Sequence, residues 1–306
     1  MSALTTKRPP FSLARRRLAG PAPTRPVVAA AAAAAVPPPE QPPQIVAPVT
    51  TFEDAADWLA ERAASLAERS GRRIVIGIVG PPGGGKSTLA ACVRARADAL
   101  LRRRPLRRQR ESGAAAEEEG QPLAVVLPMD GFHYTRAQLD AFPDPAAAHA
   151  RRGAPWTFDA DAFVAAVGVA AAGRSAVAVP SFDHAIKDPV PSAIRIGPAA
   201  QVVLVEGNYL LLDEAPWRRL WAGGGGPGGS SGPPPPPLCD DTWFVDAPLE
   251  AAMAHVLARQ TSEMGLSAEE ARGRVEGNDA PNARAVLATR GRARVLVPGE
   301  LPMRDC

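Results

Sequence analysis

Residues 73–80 (RIVIGIVG) form a short β-branched run that leads without a break into Gly80-Pro81-Pro82-Gly83-Gly84-Gly85-Lys86-Ser87-Thr88. A run of that kind is the profile of a strand buried on both faces of a parallel sheet. Leu89–Leu100 reads as the helix that follows. The string between them fits G-x-x-x-x-G-K-[ST], and each fixed position has a mechanical reason. Gly83, Gly84 and Gly85 allow backbone conformations closed to other residues, so successive N–H groups can converge on an anion. The following helix turns its N-terminus to the same anion. Lys86 then reaches the outer phosphate oxygens, and the Ser87 hydroxyl is a hard oxygen ligand suited to Mg²⁺. Lys86 is one of three lysines (Lys7, Lys86, Lys187) against 32 arginines. A chain that otherwise uses Arg has Lys where a compact, mobile point charge is wanted.

Two further apolar runs end in acids. Leu123–Leu127 leads into Pro128-Met129-Asp130-Gly131-Phe132-His133-Tyr134, and Val202–Val205 leads into Glu206-Gly207-Asn208-Tyr209. In an open parallel sheet, ligands bind beyond the carboxyl ends of the strands. Asp130 and Glu206 are therefore expected to converge near Lys86. Phosphoryl transfer needs such a pair, one carboxylate to hold or orient Mg²⁺ and one to accept the proton of an attacking hydroxyl. The bland alternative for each acid is a strand-end turn or a helix cap.

With these residues in place, the chain resembles the uridine kinase, phosphoribulokinase and bacterial pantothenate kinase family of P-loop kinases over roughly residues 52–298. Met129–Tyr134 resembles that family's D-G-F segment, whose Asp is the general base, and Val205-Glu206-Gly207 its V-E-G segment, whose Glu serves the Mg²⁺ site. Residues 151–159 (RRGAPWTFD) are similar to the pantothenate-kinase K-R-G-x-P-x-S-Y-D segment. Residues 180–188 (PSFDHAIKD) are similar to its P-x-Y-S-H-x-x-Y-D stretch, which puts His184 near the acceptor. Asn278, Asn282 and residues 289–293 (TRGRA) resemble C-terminal N-x-x-x-N and T-R-x-R-A elements of parts of the family. The resemblance implies an α/β fold of the P-loop NTPase type, a parallel sheet with helices on both faces and a small helical lid. It implies ATP and Mg²⁺ as cofactors and a small-molecule hydroxyl as acceptor.

Thr242–Asp246 reads as a further strand, and Pro248–Met264 as a helix with apolar residues at Leu249, Met253, Val256 and Leu257. Arg259 lies on it, at the place where family members close an Arg-bearing lid; the alternative is an ordinary surface-helix arginine. A cation there neutralises charge on the transferred group, and closure excludes water. Among acceptor-side candidates, His133 and His184 could orient a hydroxyl or meet phosphate, or be hydrogen-bonded structural histidines. Arg152 could bind an anionic acceptor or be a surface-loop arginine. Asp159, ahead of Ala160–Ala172, reads first as a helix N-cap, and either Asn278 or Asn282 could equally cap a helix.

Composition separates the fold from its additions. The first 39 residues carry six basic residues and no acid, with Ser, Thr, Pro and Ala between them. They read as an organelle transit peptide, plastid first with mitochondrion as the alternative, and Pro37–Pro48 reads as a linker. Without those six cations the net charge falls from +3 to 29 − 32 = −3, so the basic character belongs to targeting. Residues 102–121 and 222–238 read as insertions. The first pairs an Arg cluster with Glu117–Glu119 and is a solvated loop before it is a nucleic-acid patch; the second is Gly- and Pro-rich with no apolar face to bury. The expected organisation is residues 1–48 as leader and linker, 49–300 as one kinase domain, and 301–306 as a tail. Three scattered cysteines (Cys92, Cys239, Cys306) argue against a disulfide scaffold or Cys-based zinc site. No nucleic-acid or membrane partner is expected, and a homodimer is compatible. A guanine-reading N-K-x-D element is absent, which disfavours a GTPase switch; a nucleotide-binding regulator without kinase activity is the alternative.

Overall fold

The computed structural model describes residues 43–104, 120–183, 185–223, 235–263 and 265–302. The leader up to residue 42, His184 and most of both insertions lie outside the described residues. In chain order the elements are β1 (Ile45–Val46), α1 (Phe52–Ser70), β2 (Ile74–Val79), α2 (Lys86–Arg103) and β3 (Ala124–Pro128). A 3-10 turn (Met129–Phe132), α3 (Arg136–Leu139), α4 (Pro145–Ala150), α5 (Ala160–Ala172), and the strands β4 (Val177–Asp183), β5 (Asp188–Ile196) and β6 (Val202–Gly207) follow. The chain continues through α6 (Arg218–Trp221), β7 (Asp241–Asp246), α7 (Leu249–Ser262), α8 (Ala268–Arg274), a π-helical turn (Val275–Asp279), α9 (Ala280–Leu287) and β8 (Val295–Pro298).

Six strands form one parallel sheet in the order β1-β8-β7-β2-β6-β3, and β4 and β5 form a separate antiparallel hairpin. The alternation of β2 side chains divides the core into two layers. Ile74, Ile76 and Ile78 pack with α1 and α2 on one face; Val75 and Val79 pack with α5, Tyr209, Trp217 and Leu220 on the other. Helices cover both faces, as the buried β-branched strands require. α1 starts at a capping box between Thr51 and Asp54 and stops at Gly71, whose φ is 63°. Its buried face is mostly alanine (Ala55, Ala56, Ala60, Ala63, Ala64, Ala67), which lets it lie close to the sheet. A third, smaller cluster joins Ala247, Ala252, Met253 and Val256 to Ala280 and Ala283, and forms the core of the helical lid.

Three sequence expectations are corrected here. Residues 45–46, read as linker, pair with Val295 and Leu296 at the sheet edge, and the Gln44 side-chain amide donates to the carbonyls of Arg290 and Ala293. The basic stretch begins inside α2, because good helix formers carry the helix through Arg103. There Arg102 pairs with Asp98 at 2.8 Å and Arg104 with Glu61 at 2.9 Å. The start of the expected tail is not separate either: Pro302 accepts from the Phe52 amide, and Leu301 packs on the core.

Arg73, the residue before β2, is the sheet's buried cation. It donates to the carbonyls of Ala200 (2.7 Å), Ala170 (2.9 Å), Gly197 (2.6 Å) and Pro198 (3.2 Å). These acceptors include the end of α5 and the turn leading to β6, so one guanidinium ties three segments. Replacing it strands buried carbonyls, each costing on the order of 1–3 kcal/mol. Arg73→Met is therefore expected to lower the unfolding free energy by about 3 kcal/mol, measured by urea denaturation. A loss within experimental error would remove this role.

Candidate active site

The phosphate loop emerges from β2 between the C-terminal ends of β6 and β7. Gly83 and Gly85 have φ of 77° and 84°, the left-handed conformations the sequence requires, whereas Gly84 does not. A β-carbon on Gly83 would run into the Ala252 carbonyl of α7, so the lid helix seats directly on the loop. His255 of the same helix binds the Gly83 carbonyl through Nδ1 at 3.1 Å. α2 begins at Lys86, immediately after Gly85, and turns its first N–H groups to the loop.

Lys86 is buried, and its ammonium donates to the Pro81 carbonyl at 2.9 Å. Glu206 is buried beside it, opposite Ile78 and Pro128 in the strand register. Burial pushes Lys86 down; the charges of Glu206 and Asp130 act against that push, and Arg259 adds to it. Burial pushes Glu206 up to about 7; Lys86 opposes the rise, Asp130 adds to it, and a hydrogen bond with Ser87 lowers it. The two strand-end acids and Lys86 thus meet electrostatically, as the sequence implied. The Asp130 carboxylate has no hydrogen-bond partner among the described residues, which leaves it open to a ligand.

The donor chemistry fits Mg²⁺. Ser87 and Glu206 supply hard oxygens with Asp130 facing the same cleft, and Glu206 is a buried carboxylate whose positive neighbour does not fully offset its burial. Mg²⁺ takes one or two carboxylates and completes its shell with water and phosphate oxygens, so no larger acidic cluster is needed.

A cleft of about 360 Å³ runs from Pro82 and Asp130 past His133, Arg152, Phe158 and Phe182 to the lid residues Arg259, Gln260 and Arg274. It brings together the catalytic and substrate candidates Asp130, His133, Arg152 and Arg259. His133 Nδ1 donates to the Asp130 carbonyl at 2.8 Å, and its ring packs between Phe158 (3.9 Å) and Phe182 (4.9 Å between centroids). Gly131 lies so close to the Pro180 carbonyl that any β-carbon would displace the β4–β5 hairpin from the cleft.

Several sequence expectations change. Arg152 does not present a free guanidinium; it donates to the carbonyls of Lys187 and Tyr134 and to Asp188 at 2.7 Å, and lies over Phe182. It is a positioning residue for the hairpin turn. Asp159, by contrast, is the helix cap the sequence pointed to, accepting from the Ala162 amide at 2.9 Å at the start of α5. Asn278 and Asn282 cap nothing. They are buried, Asn278 donating to the Arg152 carbonyl and Asn282 to Asn278, while Arg151 donates to Asn282. This network ties the lid to the 151–157 loop. Tyr209, buried one turn beyond Glu206, donates to the Gly153 carbonyl; burial first, then Asp130, raises its pKa.

The sequence did not point to a second pocket on the other side of the loop. It holds about 140 Å³ between Phe52, Gly84, Gly85, Thr88, Leu89, Val245, His255, Val297 and Leu301. Its residues come from five separate segments, so no local string marks it.

A phosphate loop at the edge of a parallel sheet, two strand-end acids and an Arg-bearing helical lid define a P-loop kinase. No family model matches the chain. It is 41% identical over 163 residues to a Schizosaccharomyces pombe protein provisionally named a uridine kinase, covering 53% of this chain and 61% of that one. It is 39% identical over 176 residues to an Aspergillus versicolor ATP-dependent kinase-like protein, covering 56% of this chain and 94% of that one. The crystal structure of a Silicibacter protein provisionally named a fructose transport system kinase superposes with a TM-score of 0.57 at 30% identity, over 77% of this chain and 98% of that one. The chain thus spans about three fifths of the first relative and nearly all of the other two. It belongs to the family of P-loop kinases that these two relatives represent.

Proposed function

We propose that the protein transfers the γ-phosphoryl group of ATP to a hydroxyl of a small molecule. The observation that carries this reading is the meeting of Lys86, Asp130 and Glu206, with Asp130 also lining a cleft walled by His133, Phe158 and Phe182. The apolar pocket beside Thr88 suits the nucleobase, and the loop amides and Lys86 suit the phosphates. Ser87 and Glu206 would hold Mg²⁺, which when bound neutralises phosphate charge in the transition state. Asp130 accepts the hydroxyl proton as the acceptor oxygen bonds to the γ-phosphorus and the bond to the β-phosphate oxygen breaks. Arg259, exposed on α7 at the cleft mouth, offsets the charge of the transferred group.

The test is ADP release by the full chain across pantothenate, uridine, fructose, ribulose 5-phosphate and glycerate. At least one acceptor is expected to raise turnover well above the rate with ATP alone. Tight ATP binding with no stimulation by any acceptor would instead support a nucleotide-binding regulator.

A further inference from the structure

Lys187 ends the turn between β4 and β5 with a φ of 57°. Among the described residues, nine of the eleven with positive φ are glycine. A lysine in that conformation carries backbone strain, and such strain persists where its surroundings fix it. Here Arg152 fixes it by donating to the Lys187 carbonyl while holding Tyr134 and Asp188. The Lys187 side chain lines the acceptor cleft, is exposed, and has no ion-pair partner among the described residues. Arg136 lines the same rim and shares its carboxylate: Asp188 lies 3.4 Å from Arg136 and 2.7 Å from Arg152. Two arginines therefore share one acid, and Lys187 adds a third cation to the same cleft.

Most neighbouring acids are committed elsewhere. Asp183 accepts from the amides of Ala185 and Ile186, and Asp140 pairs with His149 at 2.8 Å. Asp130 sits at the phosphoryl end; Asp279 and Glu263 line the cleft from the lid, where Asp279 takes Gln260 at 2.8 Å. The surplus positive charge lies where the β4–β5 hairpin meets α3, on the wall of the cleft that Lys187 and Arg136 line.

We propose that Lys187, with Arg136 beside it, binds an anionic group on the acceptor, a phosphate monoester or a carboxylate remote from the reacting hydroxyl. The protein then selects charged acceptors over neutral sugars and nucleosides. This rests on the small-molecule kinase reading, and Lys187 acts as a specificity residue that takes no part in proton or phosphoryl transfer.

The test uses the full chain saturated with a non-hydrolysable ATP analogue, so that the phosphate loop is filled. Inorganic phosphate, glycerol 3-phosphate and D-glycerate are titrated while the unfolding temperature is followed, with glycerol as the neutral control. An anion is expected to stabilise the loaded protein and glycerol is not; the responding anion tells phosphate from carboxylate. Lys187→Ala should weaken that anion about three- to tenfold, Lys187→Glu more, and Lys187→Arg little. In turnover, the charged member of each pair (glycerate against glycerol, ribulose 5-phosphate against ribulose) should be preferred. Lys187→Ala should raise its KM with kcat within about twofold. Absence of anion stabilisation, anion affinity indifferent to Lys187→Ala and Lys187→Glu, or preference for the neutral member would each overturn the proposal. Lys187-dependent anion binding without any acceptor-stimulated ADP release would keep the anion site and remove the kinase reading.

Discussion

Asp130→Asn is expected to lower kcat by about 10²–10⁴-fold, the range a positioned general base contributes, while ATP affinity stays within about threefold. The asparagine keeps the size and shape of the side chain and removes only its ability to take a proton. Asp130 stands on the 3-10 turn after β3, where Gly131 packs against the Pro180 carbonyl and His133 bonds back to the Asp130 carbonyl. The backbone that aims the carboxylate is thus fixed without help from the carboxylate itself. Its charge, moreover, adds to the cost of ionising Glu206, so neutralising it relieves a buried like-charge contact. The variant should fold as well as the parent or slightly better, and a fall in activity cannot then be assigned to unfolding. Acceptor-stimulated ADP release and nucleotide titration on the same preparation check both halves. Turnover within tenfold of the parent would take the base role away from Asp130.

What the sequence made legible follows the range over which each feature is encoded. The phosphate loop is local: glycines, lysine and hydroxyl fall within nine residues, and the strand before it and helix after it are continuous runs. Asp130 and Glu206 were legible because a parallel sheet sends the ends of separate strands to one edge, so two distant acids could be placed together without knowing the strand order. Arg152 was misread because its partners Lys187 and Asp188 lie 35 and 36 residues on and approach only when the hairpin folds over the 151–157 loop. The roles of Asn278 and Asn282 were hidden in the same way, since a buried amide network looks in sequence like a pair of caps. β1 was hidden for another reason. Two residues carry no period, and their strand character comes wholly from pairing with β8 at the far end of the chain. Lys187 was visible as a rare lysine, but its strained turn and its surplus of positive neighbours exist only in three dimensions.

Lys86→Ala is expected to reduce phosphoryl transfer by about 10²–10³-fold, as removal of one preorganised donor to a transition-state oxygen does, and to weaken ATP binding more than ADP binding. The ammonium is buried and rests on the Pro81 carbonyl within its own loop, so it is already held where the outer phosphates would arrive. Its removal has a second consequence. Lys86 opposes the rise in the Glu206 pKa, and without it that carboxylate is driven further towards its neutral form, which suits a cation less well. The nucleotide thus loses a direct contact, and the proposed Mg²⁺ ligand loses the charge that keeps it ionised. Lys86→Arg distinguishes position from charge. It restores the positive charge but places a longer, planar group where the enclosing loop has a carbonyl spaced for an ammonium. Isothermal titration with ATP and ADP, paired with ADP release, should show both variants impaired. Full rescue by arginine would mean that this site requires only a positive charge and not the compact geometry of lysine.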